Sequence, residues 1–359
     1  MDLHFNARAR FTRWIVKSGH LREPFVVVDV GVQGGESPRW HLLGDHLVIH
    51  GFDAIKEVID DLRQENRRNP NLHYHWVAAG IEDGEREFYF NAADPRSSSF
   101  FQQGEDRFGF LEQRADQVRR VPVRRLDTLL KEGVVVRPDF LKNDVEGLEK
   151  DVFLGAKELL SNVLGVECET SFSVSPTYPE GHLATLQRIL LERKLLAFDL
   201  NFNRIPRGSY WQALQRKGLL AGDIEIIGKP ATFNVLFCRN PIDEADRGEC
   251  YAEPYRPLSI DQLIKTMIIY ELYGLNDIAF DTAQRFRNEL GSRFDVDEAI
   301  DLLLDPACLL SDRTLFELRE LRATSTALAA QLETMRHTKS WRLTEPLRNV
   351  RRLFGSRSS

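Results

Sequence analysis

The stretch Phe25-Val-Val-Val-Asp-Val30 runs straight into Gly31, with Gly34, Gly35, Ser37 and Pro38 close behind. Five of its six residues are β-branched or aromatic, and Pro24 and Gly31 bound it. Such a run predicts a strand buried on both faces, the strand type of a parallel sheet covered by helices. Ser37 suits an N-cap and Pro38 a first helical residue, so a helix is expected to start there. A strand–glycine turn–helix junction lets backbone approach a ligand closely and offers free N–H groups at the helix start. The spacing also excludes two ligand sites. The second glycine of a GxGxxG fingerprint would fall at Gln33, and no GKS or GKT follows, so neither a pyrophosphate cradle nor a nucleotide P-loop is expected.

Strand-like and helix-like segments alternate downstream. Leu47–Phe52, Leu72–Ala79, Arg86–Phe90, Val121–Val123, Phe140–Val145, Val163–Cys168, Leu196–Leu200 and Phe233–Cys238 read as strands. Lys56–Asn66, Leu126–Lys131, Leu148–Leu160 and His182–Leu191 read as helices. This order predicts an α/β fold with a mostly parallel sheet flanked by helices. Residues 1–24 form a helical lead-in, with Phe5, Phe11, Trp14, Ile15 and Leu21 as core candidates, and residues 25–240 form the α/β domain. Asn240–Pro257 is polar and carries three prolines, which suggests a boundary. Residues 252–310 then read as a helical block, with Leu263, Met267, Ile268 and Leu272 on one face.

Composition narrows the function. The 359 residues carry 48 Lys plus Arg against 54 Asp plus Glu, a net charge of −6, which argues against a general nucleic-acid binder. Four cysteines lie far apart with no CxxC pair, so no zinc knuckle is expected and they read as reduced thiols. Met1–Lys17 has arginines but no apolar block, and no run of about 18 apolar residues occurs, so neither a secretory signal nor a spanning helix is expected. The location expected is cytoplasmic. His73 and His75 alternate on one strand without a third partner in sequence, and no metal is expected.

Two further clusters carry chemistry. Asp53 ends the second strand, where an acid can accept hydrogen bonds from both hydroxyls of a ribose. Strand, glycine turn, helix, strand and acid together describe a nucleoside site without a pyrophosphate. S-adenosylmethionine (SAM) fits, having an adenosine and a carboxylate but no phosphate. In Leu141-Lys-Asn-Asp-Val-Glu-Gly-Leu-Glu149, the side chains of Lys142, Asp144 and Glu146 alternate and so share one side of an extended segment. Gly147 allows a sharp exit into a helix. Ligands gather beyond the carboxyl ends of parallel strands, the edge that also holds Gly31 and Asp53. Asp144 or Glu146 could take a proton from a hydroxyl, and Lys142 could hold substrate or a developing oxyanion. Glu149 reads as a helix-start acid complementing the dipole. Glu167 and Glu169, at the end of the next strand, are candidates for the same cleft.

These residues resemble the FkbM family of SAM-dependent methyltransferases. The likeness rests on Val28-Asp-Val-Gly31 with Gly35, on Val123-Arg-Arg-Leu-Asp127-Thr-Leu-Leu, and above all on Lys142-Asn-Asp-Val-Glu-Gly-Leu-Glu149 followed by Leu154-Gly-Ala156. Ser97-Ser-Ser-Phe100 is similar to a serine-rich segment of the family. Gln33 replaces the usual Asn of the turn, and Asp53 the commoner Glu. The resemblance implies a class I, Rossmann-like methyltransferase fold and O-methylation, often of a sugar or polyketide hydroxyl. It implies Asp29, Gly31, Gln33 and Gly35 at the methionine end of SAM, Asp53 at the ribose and Ala79 near the adenine. It implies Lys142, Asp144 and Glu146 near the transferred methyl group, with Ser98 and Ser99 closing over the site; Glu167, from its place at the strand end, is expected beside the substrate. The competing readings are a nucleotide-dependent oxidoreductase or epimerase, and a non-catalytic scaffold.

Beyond Ser311, Leu318, Leu321, Ser325, Leu328, Leu332 and Met335 follow the 3-4 spacing of a short coiled-coil seam, which admits a homo-oligomer. Lys339-Ser-Trp-Arg-Leu-Thr-Glu-Pro-Leu-Arg348 resembles a tail of bacterial surface-polysaccharide enzymes. Within residues 311–359, the last segment, His337–Ser359, is basic with interspersed apolar anchors, as in segments that lie on an anionic membrane. That tail, if it meets a membrane-bound glycan-assembly machine on the inner face of the cell membrane, favours a glycan as the hydroxyl acceptor.

Overall fold

Phe25–Val30 forms β1, buried along its whole length, as its apolar run requires. It pairs in parallel with Leu47–Asp53 (β2) on one side and Phe140–Asn143 (β7) on the other. The computed structural model describes residues 3–101, 117–172, 181–205, 210, 213–214, 216–218, 229–246 and 257–304. Within them, Leu72–Trp76 (β3), Gly165–Thr170 (β8), Leu196–Ile205 (β9) and Lys229–Cys238 (β10) complete a seven-stranded sheet of order β3-β2-β1-β7-β8-β10-β9. Only β10 runs antiparallel to its neighbours, β8 and β9. A second sheet of order β4-β6-β5 joins Ala78–Ala79 (β4), Gln117–Arg124 (β6) and Gly84–Phe90 (β5).

Three local expectations change. The strand read over Leu72–Ala79 switches sheets: it leaves β2 after Trp76 and pairs with β6 at Ala78. The helix read over Leu148–Leu160 is two helices, Glu149–Gly155 and Lys157–Leu160. The second has its own cap, because the buried Asp127 carboxylate accepts from Glu158 N (3.0 and 3.1 Å) and Leu159 N (3.0 Å). The helix after the glycine turn is a 3₁₀ helix, Pro38–His46, and Ser37 makes no side-chain cap; its Oγ accepts from Arg39 Nε instead (3.1 Å).

Both faces of the large sheet are covered. Val28, Val30, Leu141 and Val166 pack with Leu126, Phe153, Leu186 and Leu190 from helices Leu126–Lys131, Glu149–Gly155 and Leu183–Leu191. On the other face Val27, Ile49, Phe140 and Leu236 pack with Trp40, Phe11 and Ile15, and with Ile264, Met267 and Ile268. Residues 1–304 form one compact unit, so the helices read as a block of their own share the core of the sheet. Helix Ile260–Leu272 buries eleven of its thirteen residues, starting from a Ser259/Gln262 capping box. A helix covered all round belongs inside a core.

Its polar residues serve partners far away in sequence. Lys265 Nζ lies 2.9 and 3.0 Å from the Asp139 carboxylate, which also accepts from Val26 N (2.8 Å). Glu271 accepts from Phe11 N (2.9 Å), Thr12 N (2.7 Å) and Thr12 Oγ1 (2.7 Å). It therefore caps helix Arg10–Lys17, whose own cap position, Ala9, has no side-chain acceptor. Cys168 and Cys238 are buried free thiols. The coiled-coil seam and basic tail of residues 311–359 lie outside the described residues. Among the described residues, no helix is long and apolar enough to cross a membrane.

Candidate active site

The carboxyl ends of β1, β2 and β7 meet at a cleft of about 220 Å³. Gly31 and Gln33 line it from the turn after β1, Asp53 and Ile55 from the end of β2, Ala79 from β4, and Lys142, Asp144 and Glu146 from β7 and its loop. Arg96, Ser98 and Phe100 form the wall from the segment after β5. A hollow of about 340 Å³ lies elsewhere, between the helices that carry Lys150, Lys157 and Arg188, and no strand end reaches it.

Gly31 joins two motifs that are 113 residues apart. Its φ is +85°, and a Cβ there would lie 1.8 Å from the Asp144 carbonyl oxygen. Asp144 N in turn donates to Val30 O (3.0 Å). The glycine turn thus lies flat against the loop that carries the second acidic cluster. Gly31→Ala is expected to cost at least about 2 kcal/mol of stability, from a left-handed backbone plus the displaced loop. Urea unfolding checks this, and an unchanged midpoint would show that the contact is not tight.

Asp53 is 9% exposed and its Oδ1 accepts from Ile55 N (2.8 Å). Burial pushes its carboxyl up to about 6, with the Ile55 N–H and Lys142 pulling the other way. Asp29 lies beneath the cleft, 1% exposed, and burial pushes it up to about 6 as well, against the pull of Lys142. Lys142 Nζ stands 3.5 Å from Asp29 Oδ1 and 3.5 Å from Asp144 Oδ2. Burial disfavours its charge, but Asp29, Asp144 and Glu167 outweigh that and raise its pKa above the ordinary value.

Residues 29–189 match the family model described as the methyltransferase FkbM domain. This stretch is an FkbM methyltransferase domain. The chain is accordingly a methyltransferase, and SAM is the methyl donor that goes with that class. The order β3-β2-β1-β7-β8-β10-β9 with an antiparallel β10 is the class I methyltransferase sheet. No curated protein matches the sequence.

Several solved structures resemble the chain at low scores. One is an rRNA methylase from Streptococcus thermophilus, at 10% identity over 64% of this chain and 92% of that one, with a TM-score of 0.29. Another is the N-methyltransferase NodS from Bradyrhizobium japonicum in complex with S-adenosyl-L-homocysteine, at 9% identity over 64% and 83%, with a TM-score of 0.28. A third is fibrillarin from Aeropyrum pernix with natively bound SAM, at 11% identity over 63% and 76%, with a TM-score of 0.29.

Within the FkbM domain, Glu149 has a role that its sequence position did not disclose. It is 3% exposed, and its Oε1 accepts from Gly147 N (3.0 Å) and Val145 N (3.3 Å). The carboxylate ties down the loop that presents Asp144 and Glu146, rather than decorating a solvated helix start. Burial pushes it up to about 7, against the backbone N–H groups of Gly147 and of Glu149 itself. Glu146 has a φ of +54°, rare for a residue with a side chain, and its carbonyl accepts from Ser99 Oγ (2.8 Å). Ser99 therefore pins the loop, while Ser98 lines the cleft and its Oγ accepts from Asn91 N (3.0 Å).

Gly35, Asp29 and Glu167 do not line the cleft among the described residues. Glu167 was expected beside the substrate; it is buried under the floor, held by the Tyr273 hydroxyl at 2.6 Å. Glu169 stays near the surface with Asp144 and Glu146, their carboxylate oxygens within 4.8 Å of one another. Such a trio would suit a hard divalent cation, and acidic groups of this kind are also common without one. His73 and His75 stack with His50, with ring centroids 4.9 and 5.7 Å away and planes within 19° and 15° of parallel. His50 Nδ1 lies 3.4 Å from His75 Nε2, and burial pushes His50 and His75 down to about 4, so both are neutral at pH 7.

Proposed function

We propose that this protein transfers the methyl group of SAM to a hydroxyl of a sugar. The observation that carries the reading is that Gly31, Asp53 and Asp144 line one cleft at the strand ends. Gly31 and Gln33 of the turn that ends at Gly35, with Asp29 beneath, would hold the methionine end of SAM. Asp53 accepts from the ribose hydroxyls, and Ala79 borders the adenine. Asp144 takes the proton of the acceptor hydroxyl as the oxygen attacks the methyl carbon, Lys142 steadies that carboxylate, and Glu146 orients the acceptor. The oxygen–carbon bond forms as the carbon–sulfur bond breaks, leaving neutral S-adenosylhomocysteine. The enzyme's part is chiefly to hold the acceptor oxygen about 3–3.5 Å from the methyl carbon. Ser98 and Arg96 bound the acceptor side. The methyltransferase family match displaces the oxidoreductase or epimerase reading.

A saccharide acceptor is supported by the tail of residues 311–359, whose basic, anchor-bearing last segment suits an anionic membrane where glycans are assembled. Incubation with methyl-labelled SAM and cell-envelope glycan or lipid-linked sugar extracts tests it. Label in a sugar ether supports the assignment; label only in protein or nucleic acid overturns it.

Asp53 gives a second, acceptor-free test. An ionised carboxylate accepts hydroxyl donors more strongly than a protonated one. With its pKa raised to about 6, SAM affinity is expected to weaken as pH falls through 6. Asp53→Ala is expected to weaken binding by about 1–3 kcal/mol and to reduce that pH dependence to the part that Asp29, raised to about 6 as well, contributes. Calorimetry at pH 5 and pH 8 reads both; unchanged affinity removes Asp53 from the ribose.

A further inference from the structure

Three ionisable side chains stand abreast beneath the cleft. Asp29 on β1, Lys142 on β7 and Glu167 on β8 are partners in the strand register, so they leave the sheet on one face. Lys142 reaches Asp29 on one side and Asp144 above. Glu167, on its other side, is 6% exposed and takes its hydrogen bond from Tyr273. Tyr273 ends helix Ile260–Leu272, far beyond residue 189 where the family match stops. Its ring stacks on Phe140 at 5.8 Å, and the Arg39 guanidinium sits 3.9 Å from the ring centroid. Arg39 belongs to the 3₁₀ helix that leaves the glycine turn, and is fixed by the Leu3 and His4 carbonyls. One aromatic side chain therefore touches both the cofactor turn's helix and the anionic row.

We infer that Tyr273 is a positioning residue for methyl transfer: by holding Glu167 in place, it keeps Lys142 centred between Asp29 and Asp144 and so fixes the carboxylate that meets the acceptor. The inference rests on Asp144 being the base. Burial pushes the Tyr273 hydroxyl well above its ordinary pKa, so it donates and Glu167 accepts. The titratable and charged groups around this contact are Asp29, Lys142, Asp144, Cys168 and Glu169 from the sheet and its loops, with Arg39 and Cys238 at the tyrosine. Without its donor, the Glu167 carboxylate is no longer fixed on its side of Lys142. Lys142 then loses a fixed neighbour and draws closer to Asp144, which blunts the base.

The test is Tyr273→Phe in the full chain, which removes only the hydroxyl. SAM affinity by calorimetry is expected to match the wild type. Label transfer into the glycan extract is expected to fall about tenfold, the worth of one ordinary hydrogen bond. The acid limb of the rate–pH profile is expected to move to lower pH, because an ammonium closer to Asp144 favours its ionised form. Glu167→Gln is expected to do the same, and the double variant to be no worse than either single one, because both act through one contact. A Tyr273→Phe enzyme with wild-type rate and profile overturns the inference, as does an additive double variant. Should Tyr273→Phe not fold, Glu167→Gln decides alone, on the same rate and the same limb. A wild-type protein that ignores SAM removes the donor reading and this inference with it; one that binds and transfers while Tyr273→Phe is indifferent removes this inference alone.

Discussion

Asp144→Asn is expected to leave SAM affinity nearly intact and to cut methyl transfer by on the order of 100-fold or more, the range that a positioned base contributes. The substitution keeps the size of the side chain and removes its negative charge, and with it the capacity to take a proton. The backbone contact that matters to the cofactor turn is the Asp144 N–H to the Val30 carbonyl and the packing of its own carbonyl on Gly31, and neither depends on the carboxylate. Lys142 keeps Asp29 at 3.5 Å in the variant, so its charge is not stranded. Binding and chemistry should therefore separate. Calorimetry reads the first and label transfer the second. Turnover near that of the wild type would take Asp144 out of the reaction and leave Glu146 as the base.

Lys265→Met is expected to lower folding stability by about 3–5 kcal/mol, the cost of leaving one partner of a buried ion pair alone. Methionine keeps the apolar stem that packs in the core but not the ammonium. Asp139 would retain only the Val26 N–H, in a setting where burial already raises its pKa despite Lys265. The pH dependence has a definite sign. A carboxyl with a raised folded pKa binds more protons in the native state, so stability falls as pH rises through that pKa. The deficit of the variant should thus be larger at pH 8 than at pH 5. Asp139→Asn in the same chain should recover part of it. Urea unfolding at the two pH values measures this, and a loss under about 1 kcal/mol would mean that water reaches the pair.

The leading strand and the glycine turn were legible because their signals are local: an unbroken β-branched run, then residues that tolerate left-handed backbone. Lys142, Asp144 and Glu146 do line one cleft, but not as one extended segment: β7 ends at Asn143 and Glu146 has a φ of +54°, a turn that their alternation did not signal. The switch of sheets at Val77 was not legible, since Leu72–Ala79 offers no turn residue to mark it. Lys265 and Glu271 misdirect in a different way. As isolated charges in helix Ile260–Leu272 they suggest a solvated side, whereas each is buried against a partner 126 or 260 positions away. Glu149 is the instructive case within the site: an acid two residues after Gly147 looks like any helix start, and only its burial shows that it holds the loop. Tyr273 had no sequence signal, because its partner Glu167 is 106 residues earlier.

The cap that Glu271 places on helix Arg10–Lys17 has a consequence for how the chain comes to be made. During synthesis the first helix emerges long before its acceptor does, with an apolar side and unsatisfied amides on show until the ribosome has delivered nearly the whole unit. Completion of this corner is therefore a late event with a long loop to close, and the early segment is the one that most needs a chaperone's shelter.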